Sequence, residues 1–93
     1  MKRTPPRGLC AAARRVWSAV FERYKLEAHH VALLHEALKS LTRAEEAKRL
    51  LDRDGCVYFD KWGQPKGHPA VTVERDSRAA FVKAMTALGL DIE

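Results

Sequence analysis

The amino-acid sequence predicts one small, mainly α-helical domain with a short β-hairpin between its helices. With 93 residues, the chain has room for a single hydrophobic core. Its 14 alanines and 10 leucines favour helices, whereas only seven residues are aromatic. Apolar residues also recur at helical spacing in three separate stretches. We therefore expect a helix, a long or broken helix, a hairpin and a C-terminal helix, within one domain over residues 9–93.

The first 25 residues hold the whole net charge of the chain. They contain seven basic residues and one acid, a balance of +6 against +5 for the complete sequence. Residues 1–8 are rich in proline and have little to bury, which predicts a flexible basic arm. Over residues 9–25, helical spacing gathers the apolar side chains into an arc of about 140°. The opposite side is cationic, and on a continuous helix Arg14 and Lys25 would be nearly in line.

A second helical pattern begins near Glu27 and extends to Gly55, the residue best able to end a helix. Its stripe of leucines moves round by roughly a quarter turn beyond Thr42, where residues 42–45 have the spacing of a capping box. This pattern fits either two helices or one long helix with two apolar faces. We favour near-continuity, because no proline or glycine interrupts residues 26–54.

Residues 56–66 predict a small hairpin, with a β-branched and aromatic run, a turn containing Gly63, and a short return strand. Because two strands are not stable alone, this hairpin must pack on helices or on a neighbouring subunit. Pro69 is well placed to begin the last helix and Gly89 to end it. Residues 71–73 also fit a strand, but the helical period passes through them unbroken, which predicts helix.

Residues able to carry catalysis or bind metals occur without the necessary spacing. The four histidines are His29, His30, His35 and His68, and none forms the i, i+4 pair of a helical metal site. The serines, histidines and acids suggest no catalytic triad, and no glycine-rich phosphate loop occurs. The two cysteines, 46 positions apart, fit neither a disulfide framework nor a zinc knuckle. We expect no enzymatic activity, no metal and no cofactor.

The cationic beginning of the chain is therefore its most informative chemical feature. Phosphates attract such a surface, because each Lys or Arg contact releases condensed counterions. Trp62, beside Lys61 and Lys66, is placed either to stack on a base or to pack against a helix or a neighbouring subunit. The longest apolar run is five residues, so we expect no membrane-spanning segment and a cytoplasmic location.

Several short motifs then follow in a characteristic order. They are Leu50-Leu51-Asp52-Arg53-Asp54-Gly55, a hairpin with Gly63, Lys66-Gly67-His68-Pro69-Ala70-Val71-Thr72-Val73-Glu74-Arg75, and Leu88-Gly89-Leu90. Over roughly residues 11–93 the chain resembles the small terminase subunit of tailed bacteriophages, in the branch with His/Asn-Pro-Ala and Leu-Gly-Leu motifs. The resemblance implies a non-catalytic part of the genome-packaging motor in the bacterial host cytoplasm. Such subunits assemble into homo-oligomeric rings, bind double-stranded viral DNA and deliver it to a large ATPase and nuclease subunit.

With this resemblance, we expect the N-terminal basic residues to contact phosphates, which positions DNA without reading its bases. These residues are Lys2, Arg3, Arg7, Arg14, Arg15, Arg23 and Lys25. We expect inter-subunit contacts on the leucine stripe and the hairpin, since two apolar faces are more than one small bundle can hide. The interface residues would be Leu33, Leu34, Leu38, Leu41, Val57, Phe59 and Trp62.

Two other classes of function compete with this interpretation. A free-standing helical transcription regulator would need a short helix-turn-helix with a glycine in its turn, which the glycine-free stretch over residues 26–54 disfavours. A protein-interaction adaptor would use its basic face only for solubility. The mass in solution separates a ring from a dimeric regulator, and DNA titration at two salt concentrations separates both from an adaptor.

Overall fold

The computed structural model describes residues 4–89, and within them the expected order of elements is confirmed. The helices are α1 (Ala11–Arg23), α2 (Ala28–Asp54) and α3 (Ala70–Leu88). Strands β1 (Val57–Phe59) and β2 (Pro65–Gly67) form an antiparallel hairpin between α2 and α3. Lys2, Arg3 and Leu90 lie outside the described residues. No helix within 4–89 is long and apolar enough to cross a membrane.

The long helix α2 is the axis of the molecule, and both α1 and α3 pack against it. It runs without interruption for 27 residues, about 40 Å at 1.5 Å per residue, so the favoured near-continuity is confirmed. It ends at Gly55, whose φ of +81° is costly for residues with a side chain. The molecule is accordingly elongated, with extents of 57 × 23 × 22 Å.

One apolar core connects the three helices. Its buried members are Leu9, Ala13, Trp17, Val20, Leu34, Leu38, Leu41 and Leu88. The predicted core stripe of α1 is confirmed here, with the rings of Trp17 and Phe21 only 4.7 Å apart.

The leucine stripe of α2, expected at the interface between subunits, belongs to this core within the chain. Leu34 and Leu38 are 0% exposed, Leu41 is buried, and Leu33 is half-buried against the same cluster. The residues that cover this face come from α1 and from the end of α3. A contact between subunits through these residues would require the core to open.

The second apolar face of α2 is also covered within the chain. The buried residues of α2 are Leu34, Ala37, Leu38 and Leu41 in the first half and the smaller Thr42, Ala44 and Ala47 beyond them. The buried residues in the first half of α3, Ala70 and Ser77, are small as well. Small side chains allow two helices to approach closely. The change of phase that the sequence shows beyond Thr42 therefore reflects packing against α3 and not a second helix.

Thr42 joins the beginning of α1 to the middle of α2. Its hydroxyl donates to the carbonyl of Leu38 at 2.9 Å and accepts the amide of Cys10 at 3.0 Å. Amides at a helix start have no partner within the helix, so this hydroxyl supplies one. Residues 42–45 have the spacing of a capping box but begin no helix, because Thr42 lies within α2 and its hydroxyl accepts an amide at the beginning of α1.

The last helix has the predicted ends. Pro69 has helical dihedrals (φ −55°, ψ −28°), and Gly89 at φ +67° closes the helix by donating its amide to Thr86. Ala70, Ser77 and Leu88 are buried, whereas Val73 is exposed. The Arg78 guanidinium donates to Glu45 of α2 at 2.7 Å. An ion pair thus joins the two helices.

We expect Thr42→Val to destabilise the protein by about 1 to 3 kcal/mol, because the partly buried amide of Cys10 loses its partner. Urea unfolding followed by circular dichroism measures this. The matched control is Thr86→Val, since the Thr86 hydroxyl donates to Val82 at 2.9 Å but is exposed. Equal losses in the two variants would contradict a bridging role for Thr42.

Candidate nucleic-acid interface

The basic residues of the N-terminal quarter that the structure describes are all exposed. They are Arg7, Arg14, Arg15, Arg23 and Lys25. Arg14 and Arg15 form no ion pair with any residue within 4–89. Their positive charges are therefore not compensated by the fold.

The cationic face of α1 is shorter than the sequence predicted. The helix ends at Arg23, and Tyr24 has an extended backbone (φ −131°, ψ 144°). Lys25 consequently lies in the linker to α2, and its predicted alignment with Arg14 along one helix is wrong. The face itself retains Arg14, Arg15 and Arg23.

The described part of the N-terminal arm lies beside this face. Pro5 contributes to a shallow depression of about 440 Å³ on the solvent side of α1. Its other lining residues are Arg14, Arg15, Ser18, Ala19 and Glu22. The mobility predicted for the whole arm stays a prediction, and among the described arm residues Pro5 lies beside the exposed Arg14 and Arg15.

Two further cations, which the sequence analysis missed, lie on α2. Lys48 and Arg49 line a cleft of about 350 Å³ together with Arg15 of α1. Its other lining residues are Cys10, Ala11, Ala12 and Glu45. The segment that contains Lys48 and Arg49 has nearly equal numbers of basic and acidic residues, so its net charge did not predict a basic surface. Only the packing of the beginning of α1 on α2 brings the three cations together.

The carboxylate in this cleft is already compensated. Glu45 accepts a hydrogen bond from Arg78 at 2.7 Å, and this contact lowers the pKa of Glu45 below its ordinary value. Arg78 also donates to Glu74 at 3.1 Å, and both carboxylates raise the pKa of its guanidinium. The negative charge of Glu45 is thus held towards α3.

His68, in the His-Pro-Ala motif, forms the joint between α2 and α3. Its Nδ1 accepts the amide of Ala70 at 3.0 Å, so its Nε2 carries the proton and donates to Asp54 at 3.1 Å. Arg53 adds hydrogen bonds of 2.7 and 2.9 Å to the same carboxylate. Arg53 first, and His68 second, hold the pKa of Asp54 well below its usual range. The motif therefore ties the end of one helix to the beginning of the next.

The hairpin presents apolar side chains to solvent. Phe59 is 69% exposed and Trp62 is 76% exposed, and Val57 is exposed beside them. The turn is ordered, since the Asp60 carboxylate accepts the amides of Trp62 and Gln64, each at 2.9 Å. The Lys61 ammonium lies 4.5 Å from the centre of the Trp62 ring. Within residues 4–89, no helix covers Phe59 or Trp62.

The beginning of α2 holds the one cluster within residues 4–89 whose side chains can approach a metal together. Ligand atoms of Glu27, His29 and His30 lie within 4.8 Å of one another, an arrangement that the histidine spacing did not indicate. The Glu27 and His29 side chains are largely exposed, with 3.6 Å between carboxylate and ring nitrogen. The positive end of the helix dipole opposes a cation there, so we assign no metal to this cluster.

The fold and the exposed charges define a small helical protein with one strongly basic side. Comparison with protein families adds that the model for "Phage terminase, small subunit" matches residues 12–93. Because this match covers most of the chain, the chain belongs to the phage terminase small-subunit family. No curated protein and no solved structure matches it. Membership of the family indicates a role in phage DNA packaging.

We expect the Asp54 joint to give an acid-dependent contribution to stability. The pKa of Asp54 is lower in the folded chain than its unfolded value of about 3.9, so its contribution is complete above about pH 5. This contribution is lost as the pH falls through about 4 towards the pKa of Asp54 in the folded chain. The difference in unfolding free energy between wild type and Asp54→Asn should therefore be constant near neutrality and narrow in acid.

Urea unfolding at several values between about pH 3 and pH 7 tests this sign. Asp52→Asn is the control, because the Asp52 carboxylate is largely exposed and lies 3.7 Å from Lys48. A difference for Asp54→Asn that widens in acid would contradict the joint described above.

Proposed function

We propose that this chain is the non-catalytic, DNA-binding small subunit of a phage terminase, acting in the cytoplasm of the bacterial host. The observation that carries the proposal is the pair Arg14 and Arg15 on α1, which are exposed and form no ion pair with any residue in the described range 4–89. The subunit binds double-stranded viral DNA and presents it to the large subunit, which supplies the ATPase and nuclease activities. The family match supports this assignment.

The arginines on the exposed face of α1 suit contacts with the phosphate backbone of DNA. Guanidinium groups donate in a planar fork to phosphate oxygens and remain charged at all physiological pH values. Each such contact releases counterions, so the affinity depends on salt and little on sequence. The arginines of α1 therefore position the duplex, and base-specific readout is not required of them.

We expect the triple variant Arg14→Ala, Arg15→Ala, Arg23→Ala to flatten the salt dependence of duplex binding. The slope of log affinity against log salt should decrease by about 0.9 for each lost phosphate contact per bound subunit. Fluorescence anisotropy with a labelled duplex, between about 0.05 and 0.5 M salt, measures it.

The control variant is Lys39→Ala, Arg75→Ala, Lys83→Ala, which removes the same charge from exposed positions outside α1. If both variants lower the slope equally, only net charge matters and the proposed face is wrong. If the wild type does not bind the duplex even at low salt, the proposed function fails.

We further propose that the subunits associate through the hairpin. Phe59, Trp62 and Val57 form an exposed apolar patch, which in a small protein marks an interaction surface. The hairpin lies at one end of α2. If it contacts a different surface of the next copy, the two subunits contribute different surfaces and the interface is heterologous. Repeated heterologous contacts generate rings when the rotation closes.

The double variant Phe59→Ser, Trp62→Ser should reduce the assembly to a smaller species, because the patch loses its apolar area. Light scattering coupled to gel filtration gives the mass. Val82→Ser is the matched control, since Val82 is exposed on α3 outside the hairpin. An unchanged mass in the double variant would remove the hairpin from the interface.

A further inference from the structure

The cleft between α1 and α2 combines shape with charge. Arg15 comes from the second turn of α1, whereas Lys48 and Arg49 are consecutive on α2. Arg15 and Arg49 form no ion pair with any residue in the described range, and Lys48 has only an exposed contact of 3.7 Å to Asp52. Three cations thus line one concave surface of about 350 Å³ together with a single acid, Glu45.

The acid in the same cleft does not neutralise them. The Glu45 carboxylate is the acceptor of the 2.7 Å hydrogen bond from Arg78, on the side of α3. Elsewhere on the helices an exposed cation is paired with an acid, as Lys39 is with Glu36 at 2.7 Å. In the cleft the cations exceed the available acid, and this excess of positive charge attracts an anion.

We propose that this cleft holds a phosphodiester group of the bound DNA, between Arg15 and the Lys48–Arg49 pair. The inference rests on the proposed function and extends its contact surface from α1 onto α2. Two guanidinium groups and one ammonium suit a phosphate, whose oxygens accept several charge-assisted hydrogen bonds at once. The first turn of α1, at Ala11 and Ala12, adds the positive end of a helix dipole.

The position of the cleft makes this contact different from those on α1. Arg14 and Arg15 are adjacent on one helix, so the contacts that these two residues make together are confined to α1. Lys48 and Arg49 lie on another helix, and a phosphate between them and Arg15 would contact both. The backbone of the duplex would then be held by two helices whose relative position the Thr42 hydroxyl bridge maintains.

The test compares Lys48→Gln, Arg49→Gln with the control Arg75→Gln, Lys83→Gln in the full chain. Both doubles remove two charges, and glutamine is a good helix former, so circular dichroism should show intact folds. With the labelled duplex as probe, the cleft double should lower the salt slope by about 0.9 per bound subunit. This corresponds to about tenfold weaker binding near 0.1 M salt, at unchanged assembly mass. The control should change both quantities by less than a third as much.

Each outcome has one meaning. A lower slope for the cleft double alone supports the cleft. Equal slopes for the cleft and control doubles overturn it, while the α1 triple variant still decides the proposed function independently. If neither the wild type nor any variant binds the duplex, the proposed function and the cleft contact both fail. Binding of inorganic phosphate, with shifted NMR signals of Ala11 and Ala12 but no duplex binding, would also overturn the assignment to DNA.

Discussion

The structure depends on one constraint: a single uninterrupted helix, α2, must bury two apolar faces that are rotated with respect to each other. The large residues Leu34 and Leu38 pack in one core with α1 and the end of α3, whereas the small residue Ala47 lies beside Ala70 at the beginning of α3. Since both neighbours pack on the same axis, loss of either would leave a hydrophobic face in water at a cost of about 25 cal/mol per Å². The long helix, the return of α1 and the hairpin connection to α3 all follow from this arrangement.

The polar contacts between elements are few, and each is placed where an element begins or ends or where two helices meet. Thr42 supplies a partner at the beginning of α1, His68 joins Asp54 to the first amide of α3, and Arg78 connects the two long helices. These contacts explain which charges are unavailable to a ligand. Arg78 and Arg53 are engaged with carboxylates, whereas Arg14, Arg15 and Arg49 have no such partner within the described part of the chain. The fold therefore divides the cations into a structural group and a group left for binding.

The sequence predicted the elements well because their signals are local. Gly55, Pro69 and Gly89 mark ends through their own backbone preferences, and the helical period is visible in a single segment. What the sequence could not show depends on contacts between segments. The leucine stripe of α2 carries no information about whether α1 or a second subunit covers it, and Lys48 and Arg49 become part of a cationic cleft only when α1 packs beside them. The ion pair between Arg78 and Glu45 has the same origin, since the two residues lie 33 positions apart.

The geometry also separates the two proposed surfaces. The cleft meets α2 at Lys48, six residues before the helix ends at Asp54, which corresponds to about 9 Å along the axis, and the hairpin begins beyond that end. Contacts made by Phe59 and Trp62 therefore need not cover the arginines of α1. If copies associate through their hairpins, each adds another basic face, and a duplex held by several faces gains affinity through effective concentration without any new type of contact. The phosphate-binding surface of one small subunit then binds DNA weakly, and high affinity arises only in the assembly. Association of the subunits is thereby coupled to DNA binding.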